Sequence, residues 1–311
     1  MRNKKRVVIG CLAILVAIVA TLPCYASGYI VAFAAIVMMF VVLSQAWNIF
    51  SGFTGYVSFG HHVYFGIGCY VSAILLSRYG ISVYLSMVVA AASAAMLALI
   101  ISGPTLRLKG AYFSLSTLAI AIAVHVLSLN IPSLTRGGKG ITLPPEYHLL
   151  GFFYVMLTFA LMSIGLAILV KNSKIGLAVS AIRGDEDLAA SIGVSSFKYK
   201  ALTLILSAIL WGIMGNFYAW YVTYMHPSDA FHILRLVTAM VGVLMGGVGS
   251  IGGTVIGAIA FGFLNEVLWA RFSTIYLILL GIVVVLIVRF APDGLLKGGQ
   301  RLIQKIRIGR G

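Results

Sequence analysis

Charged residues are scarce in this sequence, and acidic residues are the scarcest of them. Only 9% of the 311 residues are charged, and only seven are Asp or Glu. Soluble domains carry about 25% charged residues, so the composition excludes an ordinary soluble protein. The 22 Lys and Arg residues leave a formal net charge of +15. They are spread over short polar segments rather than gathered on one soluble face, which argues against a nucleic-acid partner and favours cytoplasmic membrane loops.

Cysteine and nucleotide-binding motifs are also lacking. The three cysteines, Cys11, Cys24 and Cys69, fall in or beside apolar runs. They lack the spacing of metal ligands, and disulfide bonds between them are not expected. The run GGKGIT is not a Walker A motif, because Lys139 is followed by Gly140 and the upstream glycine spacing is wrong. We therefore expect no metal site, no bound cofactor and no catalytic activity in this chain.

Long apolar runs dominate what is present. Hydrophobic residues make up 61% of the chain, and the mean hydropathy is +1.07. Windows of about 20 apolar residues can cross a bilayer, and they predict an all-α, polytopic transmembrane helix bundle of about ten spans (8–10) in one domain, 1–311. The windows lie at roughly 7–23, 29–50, 60–77, 82–102, 111–130, 149–170, 201–224, 233–249, 253–270 and 273–290. Eight or nine spans with a re-entrant segment are an alternative.

The distribution of basic residues predicts the topology. The first window follows a basic start like that of a signal peptide, but it is long for one, and we expect it to stay as a span. With ten spans and the N-terminus inside, 17 of the 22 basic residues are cytoplasmic and five are external. Both termini, the loop 171–200 and the tail 291–311 are therefore expected to be cytoplasmic. Glu266 falls near a membrane edge, where snorkelling or pairing with Arg271 is the simplest interpretation.

The loop 171–200 is the longest polar interruption of the chain. It holds five basic residues and three of the seven acids. A short amphipathic helix is predicted by apolar residues at helical spacing, namely Ile175, Ala178, Ala181 and Ile182, and Gly184 is placed to end it. An ordinary solvated loop with capped helices is the alternative interpretation.

A second short helix is predicted directly after Gly184. Asp185 is a good N-cap residue, and Glu186 and Asp187 then fall in the first turn, where the helix dipole favours anions. Gly193 is placed to end the helix in a left-handed conformation. The residues between form an apolar stripe, namely Leu188, Ala189 and Ile192.

A glycine-rich segment, 48–70, follows the second apolar window. Its five glycines disfavour a lone helix, but in a membrane they permit close packing or a broken helix beside an aqueous path. His61 lies at its centre, and a histidine at membrane depth is a functional candidate. A hydrogen bond inside a packed bundle is an equally good explanation of His61. We take Ser58, Gly60 and His61 as candidates for a translocation path.

Three hydroxyl residues enter a later apolar window and extend this candidate path. They are Ser114, Ser116 and Thr117. Such hydroxyls hydrogen-bond to their own helix or across helices. A purely structural use is the simpler interpretation.

Several ordered stretches resemble one family of permeases. The run IRGDEDLAASIGVSSFKYKALTLILSA, at 182–208, closely resembles branched-chain amino acid permeases of the LivM type. The run GYVSFGHHVYFGIGCY, at 55–70, is similar to a signature of LivM- and LivH-type permeases. Glycine-rich stretches near Gly137 and Gly246 resemble further motifs of the family, and the resemblance extends from Asn48 to Leu296.

The resemblance implies the fold of an ABC-importer permease in the bacterial inner membrane. In that family the loop 171–200 contains a coupling helix, with Leu188 here replacing the usual Ala. The coupling residues are then Asp185, Glu186, Asp187, Leu188, Ala189, Ile192 and Gly193. The implied partners are separate ATPase subunits that bind ATP and Mg, a homologous permease or a second copy, a periplasmic substrate-binding protein and membrane lipid.

The expected function is that of a transmembrane permease subunit of an ATP-driven importer for branched-chain or hydrophobic amino acids. A related importer for urea, amides or sugars is an alternative that the sequence does not exclude. An ion-coupled secondary transporter is another, but such proteins usually carry acids deep in the membrane, and acids are nearly absent here.

Overall fold

Helices follow the apolar runs of the sequence closely. The structure, a computed structural model, describes residues 16–144, 149–272 and 274–290. The helices there are α1 (Gly28–Trp47), α2 (His61–Tyr79), α3 (Val83–Thr105), α4 (Ala111–Asn130), α5 (Leu149–Lys171), α6 (Lys174–Gly184), α7 (Glu186–Ser191), α8 (Ser196–Val222), α9 (Ile233–Gly246), α10 (Ile251–Arg271) and α11 (Tyr276–Phe290). The predicted all-α fold is therefore confirmed for the described residues.

Short elements connect these helices. The π-helical stretch Asn48–Gly52 continues α1, and single turns are formed by Leu22–Cys24, Pro132–Thr135, Gly137–Lys139 and Pro227–Ala230. Two short strands, β1 (Ile141–Thr142) and β2 (Tyr224–Met225), pair antiparallel, with Ile141 opposite Met225. This pairing ties the loop after α4 to the end of α8.

Seven helices are long and apolar enough to cross a membrane in the part of the chain that the structure describes. They are Gly28–Gly52, Val83–Thr105, Ala111–Asn130, Leu149–Lys171, Ser196–Val222, Pro227–Gly246 and Ile251–Arg271. The predicted count of about ten spans is not confirmed. Helix α2 is not counted as a span because His61, His62 and Arg78 make it too polar. Helix α11 is not counted because its 15 residues make it too short. Most of the window 7–23 and the whole tail 291–311 lie outside the described residues.

Helix α8 lies at the centre of the bundle, where glycines bring it close to α2 and α3. A Cβ atom on Gly68 would lie 2.0 Å from the carbonyl oxygen of Gly212. A Cβ atom on Gly215 would lie 2.0 Å from the carbonyl oxygen of Phe65, and one on Gly212 would lie 2.6 Å from the Cβ of Ala94. No other residue type leaves room for such contacts, which explains part of the glycine content of the chain.

A second group of helices packs around α1. Helices α9 and α10 form a hairpin on one side of α1, and α5 packs on another side. The α9–α10 crossing is again made by glycine, since a Cβ atom on Gly246 would lie 1.9 Å from the carbonyl oxygen of Gly253. Helices α1 and α8 are the most buried of the seven candidate spans. Each runs from one end of the bundle to the other, so both ends are joined through the same two helices.

Candidate functional site

The loop 171–200 forms two short helices, as predicted. Helix α6 is followed directly by α7, and the carboxylate of Asp185 accepts hydrogen bonds from the backbone N–H groups of Asp187 (2.9 Å) and Leu188 (3.0 Å). Gly193 adopts a φ of +85° after α7, a conformation that favours glycine. The capping role of Asp185 and the left-handed glycine are therefore confirmed.

Helix α7 presents an apolar face to its surroundings. Leu188 of α7 is 67% exposed, and Ile192, the residue that caps the C-terminal end of α7, is 76% exposed. Their spacing of four residues places them on one side. We call these two side chains the exposed face of α7. Ala189 was expected to share it, but Ala189 is only 2% exposed. It packs against its own chain, so the predicted stripe is narrower than expected.

A buried ion pair anchors α7 to the bundle. The ammonium of Lys200 lies 2.6 Å from a carboxylate oxygen of Glu186, and the two side chains are 1% and 17% exposed. Lys200 also donates to the carbonyl of Leu106 (3.3 Å) and lies 4.3 Å from the ring centre of Tyr56. The Tyr56 hydroxyl donates a hydrogen bond to the second carboxylate oxygen of Glu186. Glu186 is therefore an internal anchor rather than an exposed acid.

The electrostatics of this cluster favour a charged carboxylate. Burial acts to raise the pKa of Glu186, but the hydrogen bonds from Lys200 and Tyr56 outweigh it and leave the pKa below its ordinary value. The pKa of Tyr56 is raised, first by burial and then by the Glu186 hydrogen bond. Tyr56 therefore stays a neutral donor, and Glu186 an anionic acceptor. Sequence reasoning did not find Lys200 and Tyr56, because no spacing rule links them to Glu186.

Two further contacts connect the loop 171–200 to neighbouring segments. Asp187 forms an exposed ion pair with Lys109, at 2.6 Å, and so reaches the turn between α3 and α4. Arg183, at the end of α6, donates to the carbonyl of Gly52 at 2.7 Å. Gly52 ends the π-helical continuation of α1. The loop therefore contacts the end of a central helix.

The turn between α9 and α10 belongs to the same end of the bundle. Asn48 accepts a hydrogen bond from the N–H of Gly249 (2.9 Å), and Gln45 donates to the carbonyl of Ile251 (2.7 Å). The ammonium of Lys171 lies 3.5 Å from the carbonyl of Gly249. A displacement of α6 and α7 would therefore be transmitted through these contacts both to α1 and to the α9–α10 turn.

The candidate path residues Ser58 and His61 lie inside the bundle. The ring nitrogens of His61 lie 3.0 Å from the Ser58 hydroxyl and 2.9 Å from the Ser207 hydroxyl. Trp47 donates to the carbonyl of Ser58 at 3.0 Å. His61 has no exposed surface. In this conformation His61 joins the start of α2 to α8.

The hydroxyl candidates lie against the same segment. Ser114 donates to the carbonyl of Val57 (2.6 Å), and Thr117 accepts from the N–H of Phe59 (3.1 Å). A Cβ atom on Gly60 would lie 3.2 Å from the carbonyl oxygen of Thr117.

Ser116 differs from these residues, because among the described parts of the chain its hydroxyl bonds within its own helix, to the carbonyl of Phe113. The structure thus brings together Ser58, Gly60, His61, Ser114 and Thr117. Contact of any of these candidates with a moving substrate stays a prediction.

Comparison with known proteins identifies the family. Residues 29–288 match the family described as "Branched-chain amino acid transport system / permease component". The chain belongs to this family. It is 26% identical over 297 residues to the high-affinity branched-chain amino acid transport system permease protein LivM of Escherichia coli K12, covering 85% of this chain and 69% of that protein. The match fits the seven apolar helices, and the chain is a multi-pass membrane protein of this transport permease family.

Other permeases of the family match over nearly their whole length. LivH of Salmonella typhimurium is 23% identical over 295 residues, with 86% of this chain and 93% of LivH covered. BraD of Pseudomonas aeruginosa is 23% identical over 296 residues, with 86% and 94% covered. No solved structure matches the chain at a comparable level of similarity. The family resemblance expected from the motifs is therefore confirmed.

Proposed function

We propose that this chain is the membrane-spanning subunit of an ATP-driven importer of branched-chain amino acids in the bacterial inner membrane. ATP and Mg are bound by separate ATPase subunits, and a periplasmic binding protein delivers the amino acid. A homologous permease or a second copy of the chain completes the path. Membership of a branched-chain amino acid permease family favours this substrate class over urea, amides or sugars.

The observation that carries the coupling role is the exposed face of α7. Leu188 and Ile192 are apolar side chains on and directly after a short, capped helix in the most polar segment of the chain. Exposed apolar side chains at helical spacing suit docking into a hydrophobic groove of a partner. We assign this groove to the ATPase subunit and place the loop 171–200 on the cytoplasmic side, where its excess of basic residues is favoured.

The anchors of α7 explain how docking could move the bundle. Glu186 and Lys200 fasten α7 to the start of α8, and Arg183 fastens α6 to the end of α1. A rigid connection transmits a displacement that a loose loop would absorb. Closure of an ATPase dimer would then tilt α1 and α8 between outward-open and inward-open arrangements, with ATP biasing one of two states.

Substitutions on α7 test this proposal. Leu188→Glu and Ile192→Glu place a carboxylate in the docking groove, where an unpaired charge is strongly disfavoured. We expect each to reduce co-purification of the ATPase subunit by about tenfold or more, which is roughly 1.4 kcal/mol. Ala190→Glu is the matched control, since Ala190 is also exposed on α7 but faces away from Leu188 and Ile192. Equal ATPase recovery from all three variants would refute docking through this face.

A further inference from the structure

A cavity of about 800 Å³ lies at the end of the bundle opposite to α6 and α7. It is bounded by the outer parts of α1, α8, α9, α10 and α11. Its volume falls in the range of small-molecule sites, roughly 300–1,000 Å³. We infer that this cavity binds a zwitterionic amino acid, with Arg235 taking the carboxylate and Glu266 taking the ammonium. The inference rests on the proposed function for the substrate class.

Arg235 is held in place without a charged partner. Its guanidinium lies 4.7 Å from the ring centre of Phe65 and 4.4 Å from that of Tyr218, and one nitrogen donates to the backbone carbonyl of Asp229. Within the described ranges, Arg235 has no carboxylate within 4.0 Å. Cation–π contacts use the faces of the guanidinium, so donors on its edge remain for a carboxylate, which an arginine binds in a bidentate manner.

Two acids line the same cavity, Asp229, which accepts from Arg235 only through its backbone carbonyl, and Glu266. One carboxylate oxygen of Glu266 accepts a hydrogen bond from the Tyr29 hydroxyl at 2.5 Å. The pairing with Arg271 that the sequence suggested is not formed, and no lysine or arginine among the described residues lies within 4.0 Å of Glu266. An acid in an apolar spanning helix without a cationic partner is a functional candidate. An ammonium group is the chemical partner that it lacks.

The remaining wall of the cavity is largely aromatic. Phe33 and Phe40 come from α1, Tyr218 from α8 and Trp269 from α10. Such rings bury the apolar side chain of a bound amino acid. Urea and neutral sugars carry no charges and so cannot form ion pairs with a cation and an acid. The combination of Arg235, the acids Asp229 and Glu266 and an aromatic wall therefore favours an amino acid with an apolar side chain.

Protection of an introduced cysteine from alkylation tests the site directly. Ile36 lines the cavity and is half-buried. The variant is the full chain with Cys11, Cys24 and Cys69 replaced by alanine and with Ile36→Cys as its single cysteine. It is studied in open membrane sheets with its transport partners present. The measured quantity is the rate of alkylation by N-ethylmaleimide at increasing L-leucine. We expect L-leucine to slow alkylation, whereas 4-methylpentanoate and leucinamide, which each lack one charge, protect at least tenfold less well.

Variants of the two charged residues complete the test. Arg235→Gln and Glu266→Gln should each raise the leucine concentration for half-protection by about tenfold or more. Arg235→Lys should retain part of the protection, because it keeps the charge but loses the bidentate geometry. Arg271→Gln is the matched control and should leave protection unchanged. Absence of protection by leucine, equal protection by 4-methylpentanoate, or unchanged protection in Arg235→Gln would overturn the site.

The two proposals fail in different ways. If the cysteine shows no protection while ATP still drives leucine uptake, the site is wrong and the proposed function stands. If leucine protects the cysteine as expected while ATP drives no uptake, the site stands and the proposed function is wrong.

Discussion

At the scale of single residues, a buried lysine explains why α7 keeps one orientation. Lys200 is almost fully buried, and Glu186, Leu106 and Tyr56 satisfy its ammonium. Removing one partner of such a pair leaves an uncompensated buried charge, which costs about 3–5 kcal/mol in comparable cases. The pair therefore acts as a geometric constraint on α7 more than as a simple source of stability.

The lowered pKa of Glu186 predicts a pH dependence. Its ordinary pKa is 4.5, and the folded value is lower. A depressed carboxyl pKa stabilises the fold above the ordinary pKa, and this contribution is lost as the pH falls through the folded pKa. We expect the melting temperature of the wild type, measured relative to that of Glu186→Gln/Lys200→Met, to be highest at neutral pH and to fall below about pH 4.5.

Thermal unfolding in detergent, followed from neutral pH to about pH 3, measures this difference. The double variant serves as the reference because it removes both charges without leaving one buried alone. A melting-temperature difference that stays constant across that range would show that the Glu186–Lys200 pair is not the titrating contact.

Local residue roles were predictable, whereas distant pairings were not. The Asp185 cap and the left-handed Gly193 depend on a few neighbouring residues, so the sequence pattern sufficed. Lys200 and Tyr56 reach Glu186 only after α7, α8 and the segment that precedes α2 have packed together. The burial of Ala189 was likewise not predicted, because alanine is small enough to fit on either the buried or the exposed side of α7.

At the scale of elements, close glycine contacts hold α8 against α2 and α3. We expect Gly68→Ala to destabilise the bundle by about 1–3 kcal/mol, because its Cβ would overlap the backbone of α8 and overpacking has this typical cost. The overlap is with the Gly212 carbonyl oxygen at 2.0 Å. The measurement is the midpoint of thermal or denaturant unfolding in detergent.

Gly165→Ala is the matched control for Gly68→Ala. Gly165 also lies inside a helix, α5, but its Cβ would meet no atom of the described residues within 4 Å. Alanine should be neutral or slightly stabilising there, since it favours helix more than glycine does. A similar loss of stability in both variants would mean that helix propensity, rather than the α2–α8 contact, sets the requirement at Gly68.

Element positions were predicted better than their number. The window 111–130 coincides with α4, and most other windows differ from their helices by a few residues, because apolar length fixes where a span begins and ends. The number of spans depends on whether each segment of borderline hydropathy or length crosses the membrane. Helix α2 is buried among other helices, so it tolerates two histidines. These histidines lower the mean hydropathy of α2 below that of a lipid-facing span.

At the scale of the whole molecule, the two ends of the bundle are joined by α1 and α8. Helix α1 begins at Gly28, next to the cavity-lining Tyr29, and its π-helical continuation ends at Gly52, whose carbonyl accepts a hydrogen bond from Arg183. This segment of 25 residues spans about 35–40 Å at 1.5 Å per residue. Helix α8 carries Lys200 near its start and Tyr218 near its other end. Helices α1 and α8 can therefore transmit a displacement of the loop 171–200 directly to the cavity.

The charged cavity was beyond sequence reasoning. Arg235 and Glu266 belong to different helices, and the sequence placed Glu266 only near a membrane edge, with Arg271 as its candidate partner. Their placement in one cavity follows from the α9–α10 hairpin packing on α1. Charge counting predicted the overall topology but could not show which charges share a site.

Uptake of labelled L-leucine into sealed vesicles tests the central claim most directly. The vesicles contain this chain, its ATPase and permease partners and the loaded binding protein, with ATP supplied only on the side of the loop 171–200. We expect uptake to require ATP, to persist without any ion gradient, and to be lost in Ile192→Glu while the ATPase still hydrolyses ATP. Uptake driven by an ion gradient without ATP, or wild-type uptake by Ile192→Glu, would contradict ATP-driven import through α7.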